Sequence, residues 1–300
     1  MKYLISKSRW LMVLVVVAGA GAGVALLGMP GRREAPPTVA EAAEQSPELL
    51  AILDAVAARE AKAQTVRYRW VFNETVNMDA YPRYNSETKR LGYEDGWPAQ
   101  QRHKQMHYAM VIDGHNAGYQ EQGPSLDLMT GGFLPLHRRV AAVDGIVTGV
   151  SSVGSEPATS MGPPYRGLYG RAVIDPPLLA HRLLEPSLTF PRHSESPRLG
   201  GRGEHDGHPC VILERVDGDE HPVIWRWWLA EDRDYCVVKA QPFGVGYGPI
   251  NEVKLRYTED PQVGWRLTGW DVWNGSSGGG TAEVLDYEFN QPVDIHNPGL

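Results

Sequence analysis

Apolar and polar positions alternate with period two in the first third of the chain, where Val66, Tyr68, Trp70 and Phe72 interleave with Arg67, Arg69, Val71 and Asn73. That spacing predicts a strand with one dry aromatic face. The same signal recurs between His208 and Asn290, a stretch holding six of the nine tryptophans. Strands are expected at Cys210 to Val216, Val223 to Leu229, Tyr235 to Ala240, Glu252 to Tyr257, Gly264 to Trp273 and Thr281 to Asn290. The alternation is cleanest where Val253, Leu255 and Tyr257 share a face opposite Glu252, Lys254 and Arg256. Short turn-forming runs such as Asp217-Gly218-Asp219 separate these segments, so neighbours should be antiparallel. Within Gly264 to Trp273 the phase slips at Gly269, the mark of a β-bulge, and in the last strand Leu285, Tyr287 and Phe289 fall on one face.

A helical period appears ahead of the first strand. Ser46-Pro47-Glu48 supplies a capping hydroxyl, a proline for the first turn and a carboxylate near the positive end of the dipole. Leu49, Ile52, Leu53 and Val56 line one side, with Asp54, Arg59 and Lys62 around the other, so the helix should lie on a sheet. Asp113-Gly114 predicts a hairpin between strands at Arg102 to Ile112 and Ala117 to Gln120, with Met106, Tyr108, Met110 and Ile112 on one face. Residues 77–101 read as polar and turn-rich, with a short strand at Thr88 to Tyr93. Between Gly123 and Gly207 lie ten of the 23 prolines, which reads as a loop-rich insertion containing a strand at Val140 to Val150 and a short helix after Asp175-Pro176-Pro177.

Length and composition set the frame. The 300 residues, 42% of them hydrophobic, suffice for one large domain, expected over residues 46–300 with the insertion at 123–207. Residues 30–45, rich in Pro, Ala and Glu, read as a linker. Lys2, Lys7 and Arg9 precede an uncharged run to Met29, so residues 1–29 read as a signal peptide or N-terminal anchor, touching the membrane if uncleaved. The chain is therefore expected to be exported, periplasmic or held on the outer face of the inner membrane. A net charge of −7 without a basic cluster argues against nucleic acid as partner.

Catalytic motifs are few and weak. Gly203-Glu-His205-Asp-Gly-His208, with His221 downstream, is the best metal candidate, but its central Asp-Gly favours a polar turn entering a strand, and no metal or other cofactor is expected. Ser86-Glu-Thr-Lys89 lacks the companion motifs that would give S-x-x-K meaning, and Gly244-Val-Gly246-Tyr-Gly248 lacks the helix that phosphate binding requires. The two cysteines, Cys210 and Cys236, are expected to stay unlinked, because Val223 to Leu229 lies between their strands.

Together the export signal, the amphipathic helix, the aromatic strand Val66 to Phe72, the Asp113-Gly114 hairpin and the closing meander resemble the LolA-like superfamily of lipoprotein and lipid carriers. Particularly similar are Gly207-His-Pro-Cys-Val-Ile-Leu-Glu214, Trp227-Trp-Leu-Ala-Glu-Asp-Arg-Asp-Tyr235 and Gln291-Pro-Val-Asp-Ile-His-Asn-Pro298. The resemblance implies a mainly β (α+β) fold, an antiparallel half-open β-barrel with covering helices. It also implies a non-enzymatic protein that binds a lipid or an acylated lipoprotein in an apolar concavity. The aromatic and aliphatic face of the strands then supplies its candidate lining: Tyr68, Trp70, Phe72, Tyr108, Met110, Leu255 and Tyr257. An envelope protein-interaction scaffold or stress sensor of the same fold is the alternative, and a hydrolase or metal-binding protein a third.

Overall fold

A computed structural model describes residues 46–78, 101–127, 132–144, 146–154, 156–162, 176–184, 196–217, 223–244, 249, 251–275 and 278–300. Thirteen strands form one sheet: β1 (Thr65–Asn77), β2 (Gln101–Asp113), β3 (Asn116–Leu126), β4 (Phe133–Val143), β5 (Ile146–Val153), β6 (Glu156–Gly162), β7 (Arg198–His205), β8 (His208–Asp217), β9 (Val223–Ala230), β10 (Cys236–Gly244), β11 (Glu252–Asp260), β12 (Gly264–Trp273) and β13 (Gly278–Phe289). Their order, β6-β5-β4-β3-β2-β1-β13-β12-β11-β10-β9-β8-β7, is two antiparallel meanders joined where β1 pairs β13. The edges β6 and β7 are not paired with each other, so the sheet stays open rather than closing into a barrel.

Among the described residues two α-helices lie on one face, called inner below. In α1 (Pro47–Ala61) the Ser46 hydroxyl accepts the Leu49 N–H at 3.2 Å, and Leu49, Ile52 and Val56 are buried. The helix is pinned at both ends: Glu48 meets Arg202 of β7 at 2.8 Å, and Lys62 meets Asp234 of the β9–β10 turn at 3.2 Å. Although α2 (Pro176–His181) has only six residues, too few to persist alone, all six are buried against β10 and β12. The opposite, outer face carries cross-strand ion pairs such as Arg67–Glu288 at 2.5 Å, Arg69–Asp286 at 2.6 Å and Lys239–Glu252 at 3.0 Å.

Four bulges interrupt the ladders, leaving Gly200, Val238, Thr268 and Leu285 without a partner residue. Each adds local twist and bends its strand. The slip expected at Gly269 is the Thr268 bulge beside it. The bulge at Leu285 corrects the expected alternation of the last strand: Leu285 is 63% exposed, and Val284 and Tyr287 pack against the core in its place. Nothing in the residues themselves marks that bulge.

The region of dense proline departs most from expectation. Four strands, β4 to β7, start within residues 123–207 and carry the sheet outward on both sides. Pro124 and Pro135 sit directly opposite one another in the β3–β4 ladder, three steps from the hydrogen-bonded Asp127–Gly132 pair and so in a non-hydrogen-bonded pair, where neither missing N–H removes a bond between the two strands. The single strand expected at Val140 to Val150 is instead the end of β4, a turn with Asp144 at φ 49°, and the start of β5. Asp144-Gly145 repeats the Asp113-Gly114 dipeptide that announces the β2–β3 hairpin. Residues 1–45, the strand expected at Thr88 to Tyr93, Ser86 to Lys89, Asp175 and His221 lie outside the described residues.

Candidate functional site

The aromatic row of β1 is the centre of the inner face. Across one ladder Tyr68, Trp70 and Phe72 oppose Met110, Tyr108 and Met106 of β2, and across the other Tyr287, Val284 and Ala282 of β13. Trp70 stacks on Tyr108 at a centroid distance of 5.2 Å and meets the edge of Trp270 at 5.3 Å. On β11, Leu255 stands opposite Trp270 and Tyr257 opposite Leu267, so all seven candidate residues share the face, the last two separated from β1 by β12 and β13. Six of the seven are buried; Tyr257 is half-buried, its hydroxyl donating to the Val237 carbonyl at 3.0 Å. Gly280 lets the Phe72 ring lie against the β13 backbone, since a Cβ there would fall 2.6 Å from the ring.

A polar group closes one end of this wall. The Tyr68 hydroxyl accepts the Leu267 N–H at 3.2 Å and shares a hydrogen bond with Nε2 of His181 at 3.0 Å, and the two rings stack with centroids 5.6 Å apart. Burial drives the His181 pKa down to about 3, with the Arg59 and Arg182 charges adding to it, so the imidazole is neutral and its Nε2 can accept. Burial also pushes the Tyr68 and Tyr257 phenols well above their ordinary range. Arg182 spreads its donors over four carbonyls, those of Gly114, His181, Ala63 and Gln64, tying α2 to the β2–β3 turn and to the start of β1. Glu60 accepts the Leu183 N–H at 2.6 Å, and burial raises its pKa against the pull of Arg59.

Arg59 corrects the expected orientation of its helix. It is buried, 6% exposed, and its Nη1 donates to the Tyr235 carbonyl. The spacing 49, 52, 56, 59 continues the apolar stripe of α1 and would have placed it inward. No such signal exists for His181, which meets Tyr68 across 113 residues of chain.

The histidines weighed for a metal belong to a hairpin. Asp206 and Gly207, at φ 50° and 81°, turn β7 into β8, His205 pairs with His208, and His208 Nδ1 lies 2.8 Å from Asp232. Among the described residues no cluster of three or more His, Cys, Asp or Glu is arranged to hold a metal ion. Cys210 and Cys236 both pair with Ala230, from opposite sides, which sets them two strand spacings apart.

Over most of its length the chain aligns with several solved structures. A domain described as an outer membrane lipoprotein-sorting protein from Vibrio parahaemolyticus aligns with 81% of this chain and 93% of its own, at 10% identity and a TM-score of 0.46. A LolA superfamily protein from Nitrosomonas europaea aligns with 83% and 96%, at 11% identity and 0.45. A DUF1329 family protein from Desulfovibrio piger aligns with 82% and 94%, at 10% identity and 0.44. No family model and no curated protein matches the sequence.

Proposed function

We propose that this is an exported, non-enzymatic protein whose inner face forms a concave apolar wall that binds a lipid or an acylated protein. The observation that carries this is the asymmetry of the sheet: an inner face of aromatic and aliphatic side chains spanning β1, β2 and β10 to β13, against an outer face laced with ion pairs. Tyr68, Trp70, Phe72, Tyr108, Met110, Leu255 and Tyr257 are its proposed lining. Such a wall needs no motif, because each methylene buried is worth about 0.8 kcal/mol, and ten would contribute roughly 8 kcal/mol before the costs of association. The neutral Tyr68–His181 pair suits it, offering hydrogen bonds without placing a charge on the wall. Extracting the purified protein with organic solvent should release one amphiphile per chain, identified by mass spectrometry. Protein that yields none, and takes none up from mixed micelles, would exclude the carrier and leave a scaffold for other envelope proteins.

A further inference from the structure

The buried cation under α1 carries more than a structural role requires. Nη1 of Arg59 is engaged by the Tyr235 carbonyl, while Nε and Nη2 are buried without a hydrogen-bond partner. Those two atoms are the edge of the guanidinium that grips a carboxylate or phosphate with two parallel bonds. The acid beside it does not close the fork: Glu60 lies 3.8 Å from Nη2, beyond hydrogen-bond length, and its Oε1 already accepts the Leu183 N–H. The Cys236 thiol does hydrogen-bond with Arg59, but burial holds it protonated, and neutral sulfur is a weak acceptor that brings no countercharge. Arg182 adds a second buried positive charge nearby, its own donors met by backbone carbonyls. A buried guanidinium whose Nε–Nη2 edge hydrogen-bonds no anion is costly unless one completes it. This one stands at the polar end of the aromatic wall, close enough for its charge to act on both His181 and Tyr257.

We propose that the Nε–Nη2 edge of Arg59 anchors the anionic headgroup, carboxylate or phosphate, of an amphiphile whose chain runs along the inner face. This rests on the lipid-binding reading above and narrows its ligand to anionic amphiphiles. The chain and the headgroup then divide the work: the wall supplies affinity, and Arg59 supplies headgroup selectivity and the direction in which the chain lies.

The test compares dodecanoate, dodecyl phosphate, dodecanol and inorganic phosphate binding to the delipidated full chain by titration calorimetry at pH 7.5. Both anionic amphiphiles should bind at least tenfold more tightly than dodecanol, in line with the roughly ten- to hundredfold worth of hydrogen bonds to a charged group. Arg59→Met should bring them down to the level of dodecanol and leave dodecanol unchanged, and Arg59→Lys should retain part of the preference. Equal affinity of dodecanoate and dodecanol for the unsubstituted protein overturns the proposal, as does a preference that survives Arg59→Met. Inorganic phosphate binding as tightly as dodecyl phosphate overturns it too, since the site would then be one for free anions. If Arg59→Met loses its cooperative melt, the comparison on the unsubstituted chain decides by itself. Failure of all three amphiphiles to bind removes the lipid-binding reading and this inference with it, whereas dodecanol bound without anionic preference removes the inference alone.

Discussion

Tyr68→Phe removes one oxygen and leaves two buried groups short of a partner. The Tyr68 side chain is fully enclosed, and its hydroxyl both accepts from the Leu267 N–H beside the β12 bulge and hydrogen-bonds His181. Each orphaned buried group costs about 1–3 kcal/mol, so the loss from two should centre on ~4 kcal/mol. The ring itself is retained, and no cavity of consequence adds to that figure. For a chain of this size about 1 kcal/mol lowers the melting temperature by roughly 2–4 °C, which predicts a drop of about 8–16 °C. Urea unfolding followed by tryptophan fluorescence measures the energy, and calorimetry the temperature. Tyr257→Phe is the internal comparison: its hydroxyl serves only the Val237 carbonyl, so its cost should be about 1 kcal/mol. If Tyr68→Phe costs under about 0.5 kcal/mol, or less than Tyr257→Phe, the hydroxyl does not fasten α2 and β12 to the wall and the reasoning fails.

Other expectations concern acid, the chain end and the thiols. Because the His181 pKa falls to about 3 in the folded protein from 6.5, the unfolded chain binds the extra proton between those values. The stability this group contributes is complete above pH 6.5 and is lost as pH falls toward 3, by at most about 1.4 kcal/mol per unit. Glu60, raised by burial, acts with the opposite sign, so the quantity to measure is the difference between the wild type and His181→Gln, which should shrink steadily on acidification from pH 6.5 to 4.5. A difference that stays constant over that range contradicts a buried neutral imidazole. Gly118→Ala should loosen the C-terminal segment, because a Cβ there would lie 1.9 Å from the Ile295 carbonyl oxygen. Limited proteolysis should then cut after Asn290, and an uncut variant would refute the contact. Cys210 and Cys236, on either side of Ala230, should titrate as two thiols in denaturant without reductant, and a single disulfide would contradict the β8-β9-β10 order.

Strand alternation was legible wherever one face is dry and the other charged. That condition holds for β1 and for β11 to β13, whose outer positions carry ion pairs, whereas in the β2–β3 hairpin Tyr108 to Ile112 and Ala117 to Glu121 are buried on both faces and the Asp113-Gly114 turn supplies the signal. It fails in β4 to β7, where prolines, glycines and small polar residues blur the period and the strands exist because β3 and β8 offer edges to extend. Bulges were legible only where glycine announces them, as at Gly269, while Leu285 gives no sign because the register there is set by β1 pairing. The aromatic wall could be read from β1 alone, but its polar end could not. Tyr68, His181 and Arg182 come together only through the docking of a six-residue helix, and no local pattern encodes a contact across that separation.

Quenching of tryptophan fluorescence by a fatty acid brominated at mid-chain tests the central claim most directly, because Trp70 and Trp270 sit fully buried in the proposed wall. A lipid-binding wall predicts saturable quenching at one chain per protein. It also predicts that Phe72→Glu, which sets a charge beside Trp70, keeps a cooperative melt but no longer gives that saturation. Tryptophans that no brominated chain can quench, or a Phe72→Glu variant that loses its cooperative melt, would mean that these side chains pack a closed core and that the inner face binds no lipid.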